Sequence, residues 1–135
     1  MLRAAGFKTL EPDLTDPDVA TSSAELERVA NELDCDRLYF VGYSWGSVVT
    51  SHATPTRLAA RVLVAPPGLM PLGNVSTLPT LALLPENDQY GGALLPASVV
   101  SEVIPRADHF LWGFVDEIAT RCVDWISELS RNAST

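Results

Sequence analysis

The segment Gly42-Tyr43-Ser44-Trp45-Gly46 lies between an apolar strand-like run, Leu38-Tyr39-Phe40-Val41, and a stretch with helical character. A G-x-S-x-G in that setting joins a strand to a helix through a turn too tight for ordinary backbone angles, and few folds accommodate it. Glycine at each end removes the Cβ atoms that would strike the strand and helix being joined. The turn pushes a hydroxyl outward, so Ser44 is the first candidate for chemistry.

The flanking sequence alternates between strand and helix patterns. Thr9-Leu10-Glu11-Pro12-Asp13-Leu14 reads as a short strand, and Ser22 with Glu25 reads as a capping box that opens a helix. Ala24, Leu26, Val29, Ala30 and Leu33 form its apolar stripe. Arg37 to Tyr43 is nearly continuous in apolar residues, as expected of a strand covered on both faces. Trp45 to about His52 continues as a helix, Arg61–Ala65 as a buried strand, and residues 66–77 as a Pro/Gly-rich loop. Strands are then expected at Thr80–Leu84 and Ser98–Ile104. From Leu111 to Asn132, Val115, Ile118, Cys122, Trp125, Ile126 and Leu129 recur at helical spacing. This alternation predicts an α/β fold in one domain over residues 1–135: a mostly parallel sheet with helices on both faces and active groups at the carboxyl ends of the strands.

Bulk properties narrow the partners. Nine Lys+Arg against seventeen Asp+Glu give a net charge of -8, which repels nucleic acid and anionic membrane surfaces, so neither is an expected partner. The uncharged run Val62 to Pro85 is broken by Pro66, Pro67, Pro71 and Pro79 and reads as strand, loop, strand rather than a membrane span. Residues 1–8 lack the apolar stretch of an export signal, so the cytoplasm is the expected location. Cys35 and Cys122, without C-x-x-C spacing, are expected as reduced, buried thiols. No metal or cofactor is expected.

A serine hydroxyl needs a base within hydrogen-bond reach and a group to orient that base. His52 lies eight residues beyond Ser44 on the same predicted helix, roughly 12 Å along the axis, and points away. His109 follows a strand end in the loop Pro105-Arg106-Ala107-Asp108-His109-Phe110 and is the expected base. Asp88, in the turn after Leu84, is the expected orienting acid, with Glu86 the alternative and Asp108 a third candidate. The backbone N–H of Trp45, at a helix start, is the expected oxyanion donor. Tyr43, Tyr90 and Trp112 are candidates for the pocket wall.

Taken together, Gly42-Tyr43-Ser44-Trp45-Gly46, Glu86-Asn87-Asp88-Gln89 and Ala107-Asp108-His109-Phe110-Leu111-Trp112-Gly113 resemble the catalytic half of the α/β-hydrolase superfamily, in particular its small, lidless, dienelactone-hydrolase-like branch. The resemblance runs from about Ala4 to Leu129. It implies a serine hydrolase acting on carboxylic esters or thioesters of a small acyl substrate through Ser44, His109 and Asp88. It also implies an eight-stranded sheet in which the serine ends the fifth strand, whereas a single strand candidate precedes Ser44 here. The amino-terminal strands, and the loop that would give a second oxyanion N–H, are therefore expected to be missing. The first strand would then pair directly with the elbow strand, or a second copy or complementing chain would fill the exposed edge. The alternative function is an impaired relic or binding module with an incomplete oxyanion hole. A nucleotide-binding or receiver-type domain is disfavoured, because no phosphate-cradling glycine loop follows the first strand.

Overall fold

The computed structural model describes residues 2–133. Helix α1 (Val19–Glu32) leads into strand β1 (Leu38–Tyr43), helix α2 (Trp45–His52), strands β2 (Leu58–Val64), β3 (Thr80–Asn87) and β4 (Val100–Asp108), and helix α3 (Val115–Ala133). The strands form one sheet in the order β1-β2-β3-β4, every neighbouring pair parallel. Parallel neighbours put all four carboxyl ends on one rim, which is where the site assembles.

The middle strands are apolar because helices or loops cover both of their faces. Val62, Val64, Leu81, Leu83 and Ile104 pack under Ile118, Cys122 and Ile126 of α3. On the opposite face, Leu38 and Phe40 meet Leu26 and Ala30 of α1 and Val49 of α2. Leu63 and Ala82 lie under Val75 and Val99. Burying such a side chain contributes about 1.5–3 kcal/mol relative to leaving it in water.

Arg61 is the exception within this apolar run. It is fully buried in β2, where Nε donates to the Thr50 carbonyl and Nη2 to the Ala53 carbonyl, both at 2.9 Å. A cation placed there complements the negative end of the α2 dipole. Burial nonetheless pulls its basicity down, and Nη1 has no hydrogen-bond partner.

Several expected elements are corrected. Residues 9–14 form no strand and do not pair with β1. Leu2 and Phe7 pack on the α3 side of the sheet, with Phe7 edge-on to Tyr39 at 6.0 Å, while Leu14 packs on the α1 side. The segment therefore passes round the outer flank of β1 rather than joining the sheet. Helix α1 starts ahead of Ser22: Asp18 is its cap, accepting from the Thr21 amide at 3.0 Å and the Thr21 hydroxyl at 2.7 Å. Those bonds hold the Asp18 carboxyl below its ordinary pKa. Ser22 and Ser23 consequently sit inside the helix on its buried face, in place of Ala24 and Val29. Ser23 Oγ donates to the Val49 carbonyl of α2 at 3.1 Å, which satisfies that buried hydroxyl.

Strand β1 is not covered on both faces: Val41 and Tyr43 are 44% and 45% exposed. Strand β3 runs on to Asn87, and β4 continues through Pro105 to Asp108. A proline is tolerated there because β4 has a partner on one side only. Helix α3 begins at Val115 rather than Leu111, because Leu111 (φ 58°) and Gly113 (φ 80°) hold backbone that a right-handed helix cannot use. Val115 is accordingly exposed and outside the stripe. Both cysteines are unbridged; Cys35 is half-buried, against expectation, and Cys122 is buried. Burial, aided by the charge of Glu102, pushes the Cys122 thiol up to about 11. Among the described residues, no helix is long and apolar enough to cross a membrane.

Candidate active site

Strand β1 stops at Tyr43 and the chain turns at Ser44, whose backbone sits at φ 53° and ψ -119°. Such a conformation costs a non-glycine residue about 1–3 kcal/mol and persists only where neighbours hold it. Here the Ser44 amide donates to the Val64 carbonyl at 2.9 Å, and the Ser47 amide donates back to the Ser44 carbonyl at 2.9 Å. Gly42 makes the turn possible, since a Cβ there would stand 2.4 Å from the Gly46 carbonyl oxygen and 2.7 Å from Thr50 Oγ1. The expected need for a second bare glycine is not met: a Cβ on Gly46 would meet nothing within 4 Å.

The other two side chains come from the ends of β3 and β4. Asp88 follows β3 directly, and its Oδ1 accepts the Tyr90 amide at 2.9 Å, which fixes the carboxylate in a tight Asx turn. His109 follows β4 directly. Its neighbour Asp108 accepts the Phe110 amide on Oδ1 at 3.0 Å, and the Leu111 amide donates to the Asp108 carbonyl at 3.2 Å. The imidazole then lies between two oxygens: Nδ1 is 2.9 Å from Asp88 Oδ1, and Nε2 is 2.8 Å from Ser44 Oγ. The side chains of His109 and Asp88 are only 8% and 7% exposed. A carboxylate can only accept, so the ring proton belongs on Nδ1 and the Nε2 lone pair faces the serine hydroxyl. This is the hydrogen-bond chain that general-base activation of an alcohol requires.

The alternative acids are occupied elsewhere. Glu86 Oε1 accepts the Arg106 amide at 3.0 Å and so braces β4 at a residue with φ 68°. Asp108 spends its carboxylate on the Phe110 amide. His52 ends α2, with Nε2 3.1 Å from the Pro71 carbonyl, beside a surface hollow lined by Val19, Ala24, Val48 and Met70 that none of the three relay residues enters.

Aromatic rings surround His109. Tyr90 stands edge-on to the imidazole at 4.9 Å, Phe110 at 5.6 Å, and Tyr43 lies tilted at 5.8 Å. Phe110 was not among the expected wall residues; its place directly after His109 was the available signal. Trp112 is 81% exposed and stands out from this collar. The Tyr43 hydroxyl is not free for a ligand, because it donates to the backbone carbonyl of His109 at 2.6 Å. Desolvation, then the charges of Asp88 and Asp108, raise the Tyr43 phenol above its ordinary pKa. Trp45 opens α2, and the first-turn amides of a helix have no acceptor within it, so its N–H is available at the rim beside Ser44.

No protein-family model matches the sequence, and no curated protein matches it. Solved structures do match in fold. A protein from Pectobacterium atrosepticum provisionally classed as a YdeN-like hydrolase superposes with a TM-score of 0.68 at 18% identity, over 89% of this chain and 75% of that one. A protein of unknown function from Agrobacterium tumefaciens, provisionally classed as an α/β hydrolase, gives 0.67 at 18% identity over 97% and 68%. An alpha-beta serine hydrolase homologue from Coxiella burnetii gives 0.67 at 19% identity over 87% and 65%. The architecture of the chain is thus that of the α/β hydrolases, and it spans 65–75% of the length of these neighbours.

Proposed function

We propose, from an α/β-hydrolase architecture with this relay built on its rim, that the chain is a serine hydrolase acting on carboxylic esters or thioesters. The observation that carries the reading is the pair of contacts on one imidazole, 2.8 Å to Ser44 Oγ and 2.9 Å to Asp88 Oδ1. Ser44 Oγ attacks the acyl carbon while its proton passes to His109 Nε2. The carbonyl oxygen becomes an oxyanion that the Trp45 N–H receives, with the positive end of α2 behind it. Collapse expels the alkoxide or thiolate, which takes the proton from Nε2 and leaves Ser44 acylated. Water then attacks the acyl group, giving a proton to Nε2, and the second collapse returns that proton to Ser44 and frees the acid. Asp88 holds the Nδ1 proton throughout and stabilises the imidazolium as it forms. Tyr90 and Phe110 beside His109 favour a small, neutral acyl group, and the acidic surface disfavours anionic ones.

A fluorophosphonate probe tests this directly. Wild type should carry one label, and Ser44→Ala none; an unlabelled, folded wild type, or labelling that survives Ser44→Ala, refutes the reading. A second reading is favoured by one observation: among the described residues no strand precedes β1, so none of them supplies another oxyanion donor from an earlier strand end. One missing donor costs on the order of 10²–10³ in turnover. A folded wild type that hydrolyses p-nitrophenyl acetate no faster than buffer would favour this impaired-relic reading over the enzyme.

A further inference from the structure

Tyr43 and Ser44 are consecutive, yet both reach His109. Successive side chains leave a strand on opposite faces, and the turn at Ser44 adds a second change of direction. Ser44 Oγ thereby meets the imidazole at Nε2, while the Tyr43 hydroxyl meets the same residue's main-chain carbonyl at 2.6 Å, 66 positions away in sequence. The base is thus held at both ends by one dipeptide: ring by the nucleophile, backbone by the residue before it.

We infer that Tyr43 is a positioning residue, whose hydroxyl ties the His109 loop to the elbow and so sets the distance between base and nucleophile. The inference rests on the proposed hydrolase function for its kinetic consequence, but not for its structural one.

The loop has need of such a tie. Between the end of β4 at Asp108 and the start of α3 at Val115, it holds two residues with positive φ, Leu111 and Gly113. Its own bonds are short-range turns: Phe110 and Leu111 amides to Asp108, and the Phe114 amide to Leu111 at 2.9 Å. Asp88 holds the imidazole, but a bond to Nδ1 still lets the ring pivot with the loop about that oxygen. Adding the Tyr43 bond to the carbonyl removes that freedom. Desolvation raises the phenol's pKa, which favours the protonated hydroxyl that donates this bond. It is satisfied by protein, so it is not expected to bind substrate.

Tyr43→Phe keeps the ring and deletes the donor, and the side chain is half-exposed, so no core cavity results. Tyr39→Phe, which removes a phenol from the same strand beside Phe7, is the control. The expected result for Tyr43→Phe is a fall of about tenfold in kcat and in the rate of fluorophosphonate labelling, with KM unchanged. With histidine-labelled protein, the Nδ1 proton resonance of His109 should broaden in Tyr43→Phe and remain sharp in Tyr39→Phe. Wild-type kcat together with an unchanged His109 resonance would overturn the proposal while leaving the hydrolase standing, as would a loss confined to KM. If wild type takes no label, the hydrolase reading falls, and the His109 resonance alone still decides whether Tyr43 holds the loop.

Discussion

The middle of the sheet and its carboxyl rim are built on opposite principles. In the middle, Val62, Leu63, Leu81, Ala82 and Leu83 are essentially without exposure and lie in regular register. At the rim, every non-glycine residue with positive φ among the described residues is found close to a strand's carboxyl end: Ser44 and Ala65 directly after β1 and β2, Arg106 just inside the end of β4, and Leu111 shortly beyond it. The middle gains stability by burial; the rim gives some of it up to hold side chains in directions that relaxed backbone would not supply. The difference teaches that a rigid apolar layer is what permits strain next to it, because a soft layer would relax and carry Ser44 away from His109.

If the division is real, changes at the rim and in the middle should separate rate from stability. Asp88→Asn should cost most, about 10⁴ in kcat, because an amide can turn an N–H donor toward Nδ1 and so favour the wrong imidazole tautomer, with little change in the denaturation midpoint. Glu86→Gln keeps an acceptor for the Arg106 amide and should stay within tenfold of wild type, measured on the same ester. Leu83→Ala should do the reverse, losing about 2–5 kcal/mol of stability in a urea titration while the folded fraction turns over normally. A Leu83→Ala protein that folds well but has lost its activity would break the division.

Two smaller effects sharpen it. The Cys122 thiol, at about 11, should resist Ellman's reagent at pH 8 until denaturant is added, so that the native protein gives up at most the half-buried Cys35. Ala65→Gly relieves a left-handed residue at φ 49°, but adds the backbone entropy of glycine, so it should shift stability by less than about 1 kcal/mol. A larger loss would mean that the Ala65 methyl, buried against the α3 side of the core, matters more than its backbone.

Much of the fold was legible because the signals for β1, α2, β2 and β3 are local: apolar runs flanked by glycine, proline or a polar turn. That Ser44, Asp88 and His109 stand at strand ends was legible, and the choice between Glu86 and Asp88 was open because the deciding contact, an amide on the neighbouring strand, leaves no local mark. The amino-terminal segment misled for the same reason. Thr9-Leu10 and Leu14 suit a strand, but pairing is a property of the neighbour, and the chain instead sends Phe7 to one face and Leu14 to the other. At α1, two capping sequences compete; Asp18 with Thr21 prevails over Ser22 with Glu25, and the extra turn buries two serines against α2. Nor could the sequence alone show that Arg61 is matched by the carbonyls ending α2, or that the Tyr43 hydroxyl is spent on His109.

The passage of residues 7–14 round the outer flank of β1 has a practical corollary for anyone handling the protein. A nick or an affinity tag placed in that stretch would leave Ser44, Asp88 and His109 untouched yet loosen the packing of Phe7 and Leu14 on the two sides of β1, a strand paired with β2 alone, whose free edge can recruit foreign strands. Preparations trimmed there should keep the three side chains in place but clump on concentration, so fusion partners are better kept out of that stretch.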